Sequence, residues 1–364
     1  MRVAGIMSGT SLDGIDVAVI EICGRRWKLA AASFTPYPQA VREAILGVSN
    51  AVTHTASIAR LHFLLGELYA EAVSRHPGIE LVGCHGQTIF HESTPAPIAG
   101  RRVRSTLQIG EASFIAERLG VPVVSDFRPR DIAAGGTGAP LVPYVDYFLY
   151  RHPKRRRAAL NIGGIANITY IPAKAKPEDV IAFDTGPGNM VVDALAERAT
   201  RGRLKYDRDG RLALRGRLNP ALLDRLLQDP FIRSKPPKSA GREQYGREFA
   251  ERLLKTGEPI EDLIATAAAL TAAAVADSID RFTGPVDDLI VSGGGAHNPA
   301  IMAYLAAFLP GAKVATSADF GVDIDAKEAI AFAILAYETW RRRPSNLPSA
   351  TGARHPVILG KITF

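Results

Sequence analysis

Cysteine is nearly absent from this chain, with 2 in 364 residues, Cys23 and Cys84. They are too few and too far apart for a disulfide framework or a zinc pattern, and a reducing compartment is the simplest reading. The sequence Gly-x-x-x-x-Gly-Lys-Ser/Thr is missing, and no glycine cluster forms a dinucleotide fingerprint with a downstream acid. A P-loop NTPase and a Rossmann enzyme are therefore disfavoured. The N-terminus lacks a basic region followed by a long apolar core, so no signal peptide is apparent. The most apolar helix candidate, residues 263–279, is rich in alanine and threonine and bounded by Asp262, Asp277 and Asp280. It reads as too short and too mild to span a bilayer. Low-complexity segments and coiled-coil patterns are also lacking. A soluble, cytoplasmic protein without a membrane partner is the expectation.

What is present points to a folded α/β chain. Hydrophobic residues make up 47% of the sequence, which argues against disorder, and the length suffices for two domains with separate cores. The net charge of +7 suits an anionic small molecule, a nucleic acid or merely a basic surface. The densest basic run, Arg151 to Arg157, has no interleaved aromatic residue and reads as a solvated linker, so a nucleic-acid partner is not expected.

Three strands in a row (3–7, 17–22, 27–34) open the chain. A helix (58–75), a strand (81–90), a helix (111–119) and a strand (121–125) follow. The second half repeats that order, with strands at 158–161, 168–171 and 180–183 and a helix at 189–200. A helix (263–279), a strand (289–292), a helix (299–308), a strand (313–316) and a helix (325–341) complete it. A duplicated α/β unit with its ligand between the copies is the economical architecture. The Gly/Pro-rich stretch 128–141 reads as the connection between halves, and 201–247 as an insertion of loops and short helices. The expected domains are 1–130, with 342–364 as a candidate to pack back onto it, and 131–341.

Four glycine-bearing turns carry the candidate chemistry. The first comprises Gly9, Thr10, Ser11, Leu12, Asp13, Gly14, Ile15 and Asp16; it supplies backbone N–H groups and hydroxyls for a polyphosphate, and Asp13 and Asp16 suit Mg²⁺ directly or through water. A tight hairpin that merely needs glycine is the plain alternative. The second, Asn161, Gly163 and Gly164, sits at the matching place in the second half. Two turns at matching positions favour ligand binding over either turn alone. The third is Asp184 at the end of a buried strand, followed by Gly-Pro-Gly. It reads either as a general base for water or a sugar hydroxyl, or as a turn-capping carboxylate. The fourth, Gly293, Gly294 and Gly295, lets a flat base or ribose lie on the backbone before a helix start. His85 and Gln87 offer donors and acceptors for a sugar or an amide, or are satisfied core groups. Arg128 and Arg130 present forks to a carboxylate, or pair with Asp131 at the surface. Glu328 closes an Asp325-Ala326-Lys327-Glu328 capping box, or binds a ligand.

The ordered set MSGTSLDGID (7–16), HGQTIFH (85–91), FRPRDIAAGGTGAPLVP (127–143), NIGGIANIT (161–169), FDTGPGN (183–189), SGGGAHN (292–298) and DIDAKEAIAFA (323–333) resembles the anhydro-N-acetylmuramic acid kinases. These belong to the sugar kinase/heat-shock protein/actin ATPase superfamily. The likeness spans essentially the whole chain; Leu12 stands where Met is common. It implies two duplicated ribonuclease-H-like (actin-like ATPase) domains with mixed five-stranded sheets and an interdomain cleft. The implied activity uses ATP and Mg²⁺ to turn 1,6-anhydro-N-acetylmuramic acid and water into N-acetylmuramic acid 6-phosphate, in peptidoglycan recycling. Asp184 then activates water, Arg128 or Arg130 meets the lactyl carboxylate, His85 to Thr88 the N-acetyl group and Glu328 a sugar hydroxyl. A homodimer is implied; the metal ligands are left open. The alternatives are a kinase of the same fold for another sugar or carboxylic acid, and a non-enzymatic nucleotide switch.

Overall fold

Val3, Ile6, Val17, Val19, Ile20 and Ile22 are buried β-branched residues, and they build the first hairpin of the sheet. The computed structural model describes residues 1–9 and 12–364. Thr10 and Ser11 of the expected phosphate turn lie outside the described residues. Contacts divide the chain into unit 1, Met1–Phe148 with Ala326–Phe364, and unit 2, Leu149–Asp325. The sequence reading put the divisions at 130/131 and 341/342. The helices that make the difference, Val142–Tyr150 and Lys327–Trp340, carry no change in composition to mark them.

The strands of unit 1 begin with β1 (Arg2–Ser8), β2 (Gly14–Cys23), β3 (Arg26–Pro36), β4 (Leu81–Ile98), β5 (Arg101–Ile109) and β6 (Val123–Ser125). Unit 2 holds β7 (Arg157–Ile162), β8 (Ile165–Ile171), β9 (Ile181–Pro187), β10 (Asp288–Ser292) and β11 (Lys313–Thr316). The chain ends in β12 (Lys361–Thr363), back in unit 1. The order β3-β2-β1-β4-β6 in unit 1 matches β9-β8-β7-β10-β11 in unit 2. In both, the first strand is antiparallel to the second (Ile6↔Val17; Leu160↔Ile168) and parallel to the fourth in that order (Ile6↔Cys84; Leu160↔Val291). The repeat read from element order is thus a repeat of topology. Unit 1 extends its five strands to seven, with β12 antiparallel on β6 and β5 antiparallel on β4.

Helix Lys327–Trp340 lies directly on the backbone of β1 and β4. A Cβ at Gly5 would stand 1.8 Å from the Ala329 carbonyl oxygen, and one at Gly83 would stand 2.2 Å from that of Phe332. The same helix is tied to Val142–Tyr150 by a buried ion pair, Lys327 Nζ to Asp146 Oδ1 at 2.8 Å, with both side chains 5% exposed. Removing one partner of such a pair strands a buried charge.

Three sequence expectations change here. Residues 127–133 are a helix rather than part of a long connection, because Phe127 and Asp131 point into unit 1. The basic run is pinned: Arg155 and Arg157 bond Asp288, and Arg156 bonds Asp287. Helix Ile260–Phe282 has 23 residues, long and apolar enough to cross a membrane, but 83% of its apolar window is buried in unit 2. Its alanines let it pack against Asn189–Ala199, Pro299–Phe308 and β9.

The close helix–strand approach makes a stability prediction. Gly5→Ala should destabilise the protein by about 3 kcal/mol, the upper range for overpacking, because its methyl meets backbone rather than a movable side chain. Gly47→Ala, in helix Gln39–Val48 with nothing within 4 Å of the added carbon, should be neutral or slightly stabilising. Urea midpoints of the two variants check both.

Candidate active site

In unit 1 the first turn hangs on a buried polar brace. Ser8, at the end of β1, donates to Gln87 Oε1 at 2.6 Å and lies 2.6 Å from the Tyr37 hydroxyl. Gln87 Nε2 donates to the Gly9 carbonyl at 3.3 Å. Gln87 is fully buried, 0% exposed, so its amide holds the turn from behind. Leu12 and Ile15 are core side chains, which leaves only their backbone for a ligand. Leu12 N–H donates to Gly9 O at 3.2 Å, closing the turn. Asp13 is exposed, 3.9 Å from Arg42, while Asp16 lies on β2 opposite Met7, and Gly14 pairs with Pro36.

His85, inside β4, is brought to Arg128. Its Nε2 accepts from Arg128 Nη2 at 2.9 Å and from Nε at 3.3 Å, and Arg128 Nη1 donates to Gly138 O at 2.8 Å. An accepting Nε2 means a neutral ring with its proton on Nδ1. Burial, then the Arg128 charge, hold His85 well below the ordinary histidine range. Desolvation also draws Arg128 down to about 10, against Glu328 and Asp131, so it stays charged at neutral pH. Its side chain still meets solvent in part, leaving a face for an anion.

Glu328 does not cap its helix. Ala326 precedes the first turn without a side-chain cap, and Asp325 meets His297 instead. The Glu328 side chain is open to solvent although crowded by protein, and this desolvation raises its carboxyl above the ordinary range against Lys327 and Arg128. Arg130 is exposed. Surface pairing with Asp131 is ruled out for either arginine, because Asp131 is 0% exposed. It accepts from Gly138 N, Asn346 Nδ2 and Thr351 Oγ1 at 2.6–2.8 Å.

In unit 2, Asn161, next to last in β7, pairs with Ser292 of β10. The Gly163–Gly164 turn points its carbonyls at the next helix: Gly163 O accepts from Asn189 N at 2.8 Å, and Gly164 O from Gly188 N and Met190 N at 2.9 and 3.2 Å. Of the glycine triplet, Gly293 has φ +79°, and a Cβ there would stand 2.6 Å from Asn161 Oδ1. Gly295 packs on Ile162, and exposed Gly294 is the member left for a ligand. The helix start expected to attract negative charge is already capped, since Asn298 Oδ1 accepts from Ala300 N and Ile301 N.

Asp184 lies in β9, part-buried. Its Oδ2 accepts from the Ser239 hydroxyl at 2.9 Å and from Ala240 N–H at 2.8 Å, and its own N–H donates to Lys238 O at 3.2 Å. Burial raises its carboxyl, opposed by those two donors and by the Lys238 charge. The sequence offered no signal for residues 238–240, which lie in the insertion far along the chain. Asp193, on helix Asn189–Ala199, is another missed group. Burial pushes it up to about 7; the Asp207 charge adds to this and the Asp207 N–H opposes it.

Two mixed sheets with one strand order, each carrying a glycine turn between its first two strands, define the class as a duplicated α/β protein of the ribonuclease-H-like, actin-like ATPase fold. A family model described as Anhydro-N-acetylmuramic acid kinase matches residues 1–364, and the chain belongs to that family. It is 46% identical over 382 residues to "Anhydro-N-acetylmuramic acid kinase" of Caldanaerobacter subterraneus subsp. tengcongensis, covering 100% of this chain and 96% of that one. It is 45% identical to the protein so named from Salinibacter ruber (99% and 96% covered) and 42% identical to one from Bacillus cereus (100% and 99%).

Asp193 gives a stability prediction with a definite sign. A carboxyl near 7 in the fold and near 3.9 unfolded favours the folded state fully below about pH 4, and that contribution is lost as pH rises through 7. Asp193→Asn keeps an acceptor for Asp207 N–H and cannot ionise. It should therefore stabilise the protein at pH 8.5, by up to about 4 kcal/mol for a shift of that size, and clearly less at pH 5, as urea unfolding at the two pH values reads out.

Proposed function

We propose that this chain carries out ATP-dependent conversion of 1,6-anhydro-N-acetylmuramic acid and water to N-acetylmuramic acid 6-phosphate, in peptidoglycan recycling. The observation that carries the reading is Asp184. One of its oxygens is held by two donors and its acidity is weakened by burial, as suits a base that must be ionised yet proton-seeking.

The substrate has no free 6-hydroxyl, since O6 is joined to C1. Asp184 takes a proton from water, whose oxygen bonds to C1. The C1–O6 bond breaks, and O6 takes the γ-phosphoryl group of ATP as ADP leaves. A glycosidase needs an acid to protonate the departing oxygen. Here phosphoryl transfer replaces that acid, so one carboxylate suffices. The first turn and the Gly163–Gly164 turn are assigned to the phosphates, and Gly294 to the nucleoside. Arg128 suits the lactyl carboxylate better than Arg130, being oriented by His85 and Gly138. Glu328, crowded yet accessible, is assigned to a sugar hydroxyl.

Among the described residues there is no group of three or more metal-ligating side chains. That fits a Mg²⁺ held mainly by phosphates and water, with Asp13 and Asp16 the nearest carboxylates of the turn. When bound, Mg²⁺ offsets negative charge on the phosphates. We also propose a cytoplasmic homodimer. Phe90 and Leu107, opposite each other on β4 and β5, are 39% and 42% exposed and suit a self-contact. Light scattering checks the dimer.

The decisive test is turnover in ¹⁸O-labelled water with 1,6-anhydro-N-acetylmuramic acid, N-acetylmuramic acid and N-acetylglucosamine. Anhydro-dependent ADP release with ¹⁸O at C1 and phosphate on O6 is expected; turnover only with free 6-hydroxyl sugars overturns the reading. Asp184→Asn should lower kcat by about 10²–10⁴-fold with nucleotide affinity nearly unchanged. Because burial raises Asp184, wild-type kcat should fall with decreasing pH at a midpoint above the ordinary carboxylate range.

A further inference from the structure

Lys238 is a cation without an ion-pair partner at hydrogen-bond distance among the described residues, yet its ammonium is closely enclosed. Nζ lies 5.0, 5.4 and 5.8 Å from the ring centres of Phe231, Phe282 and Phe183, and donates to the carbonyls of Phe231 and Ile232 at 3.1 and 2.7 Å. One of these rings belongs to the residue immediately before Asp184. The rings and carbonyls together fix the head group and thereby fix the chain that follows it. That chain delivers three consecutive contacts to Asp184: the Lys238 carbonyl on its N–H, and the Ser239 hydroxyl and Ala240 N–H on Oδ2.

We propose that residues 238–240 form a strap that positions the base, with Lys238 as its anchor and Ser239 and Ala240 occupying Oδ2 so that Oδ1 faces the water. The inference rests on Asp184 being the base. Lys238 and Ser239 are positioning residues, since they act through Asp184. The charged groups around the anchor are Asp277 and Arg281 on helix Ile260–Phe282, Asp229 and Asp184 itself. Those facing Asp184 are Lys238 and the two donors. Both donors and the cation favour the ionised carboxylate, so losing any of them makes Asp184 harder to ionise.

The test is the pH dependence of kcat for Ser239→Ala, Lys238→Met and Lys238→Arg, with ADP release as readout. Thermal melts select variants that remain folded, and Ser239→Ala removes only an exposed hydroxyl. Ser239→Ala and Lys238→Met should each lower kcat about tenfold near neutral pH, leave both KM values within about twofold, and move the acid limb to higher pH. Lys238→Arg, which keeps a cation over the rings, should restore most of kcat. An acid limb that stays in place in Ser239→Ala and Lys238→Met, while Asp184→Asn lowers kcat by about 10²–10⁴-fold, overturns the strap. A limb that persists in an active Asp184→Asn overturns the base instead.

Discussion

The seating of helix Lys327–Trp340 on the bare backbone of β1 and β4 is the contact on which unit 1 depends. Only hydrogen fits at Gly5 and Gly83, so the helix approaches closely enough to place Phe332 against His85 and Phe127, with ring centres 4.5 and 5.2 Å apart. The same seating sets Glu328 in the electrostatic reach of Arg128. The helix comes from the far end of the chain, after all of unit 2. Unit 1 is therefore complete only when both ends of the sequence have folded together. The Lys327–Asp146 pair sits close to both places where the chain passes between units, and it joins those two strands of connectivity within unit 1.

Unit 2 meets the same topological demand with different chemistry. In unit 1 the turn after the first strand is braced by buried side chains, Ser8, Tyr37 and Gln87. The equivalent turn in unit 2 is braced by its own backbone, with Gly163 and Gly164 carbonyls serving the first turn of Asn189–Ala199. That backbone brace ties the turn to the start of the helix. It also couples the turn to β9 and hence to Asp184, because the helix that the turn caps starts just after that strand.

Much of this was legible in the sequence, and the limits have physical causes. Element order, the repeat and the glycine turns follow local patterns: β-branched runs, period-2 burial and glycine at tight approaches. The roles of Gln87 and Asp131 did not follow, since a buried polar side chain is distinguished from a ligand-binding one only by its partners. Those of Asp131 include Asn346 and Thr351, far along the chain. Arg155 to Arg157 looked like a solvated run because Asp287 and Asp288, which neutralise them, lie in another strand region. The Asp325 capping box failed for the opposite reason. The local pattern was there, but Asp325 was drawn to His297 and the helix began two residues later.

Asp184, as the proposed base, shows why such a carboxylate needs opposing influences rather than one strong one. Burial alone would only disfavour the charged form that has to take a proton from water. Hydrogen bonds and a nearby cation alone would make it a poor base. The structure sets both against each other at one side chain, with desolvation the larger. The donors act on one oxygen only, Oδ2, so they favour ionisation while sparing Oδ1 as an acceptor. The cation acts at a distance, held by aromatic rings and carbonyls, and so lends its field to Asp184 without forming the direct ion pair that would quench it. A direct Lys–Asp pair would have fixed the charge and blocked the water at the same time.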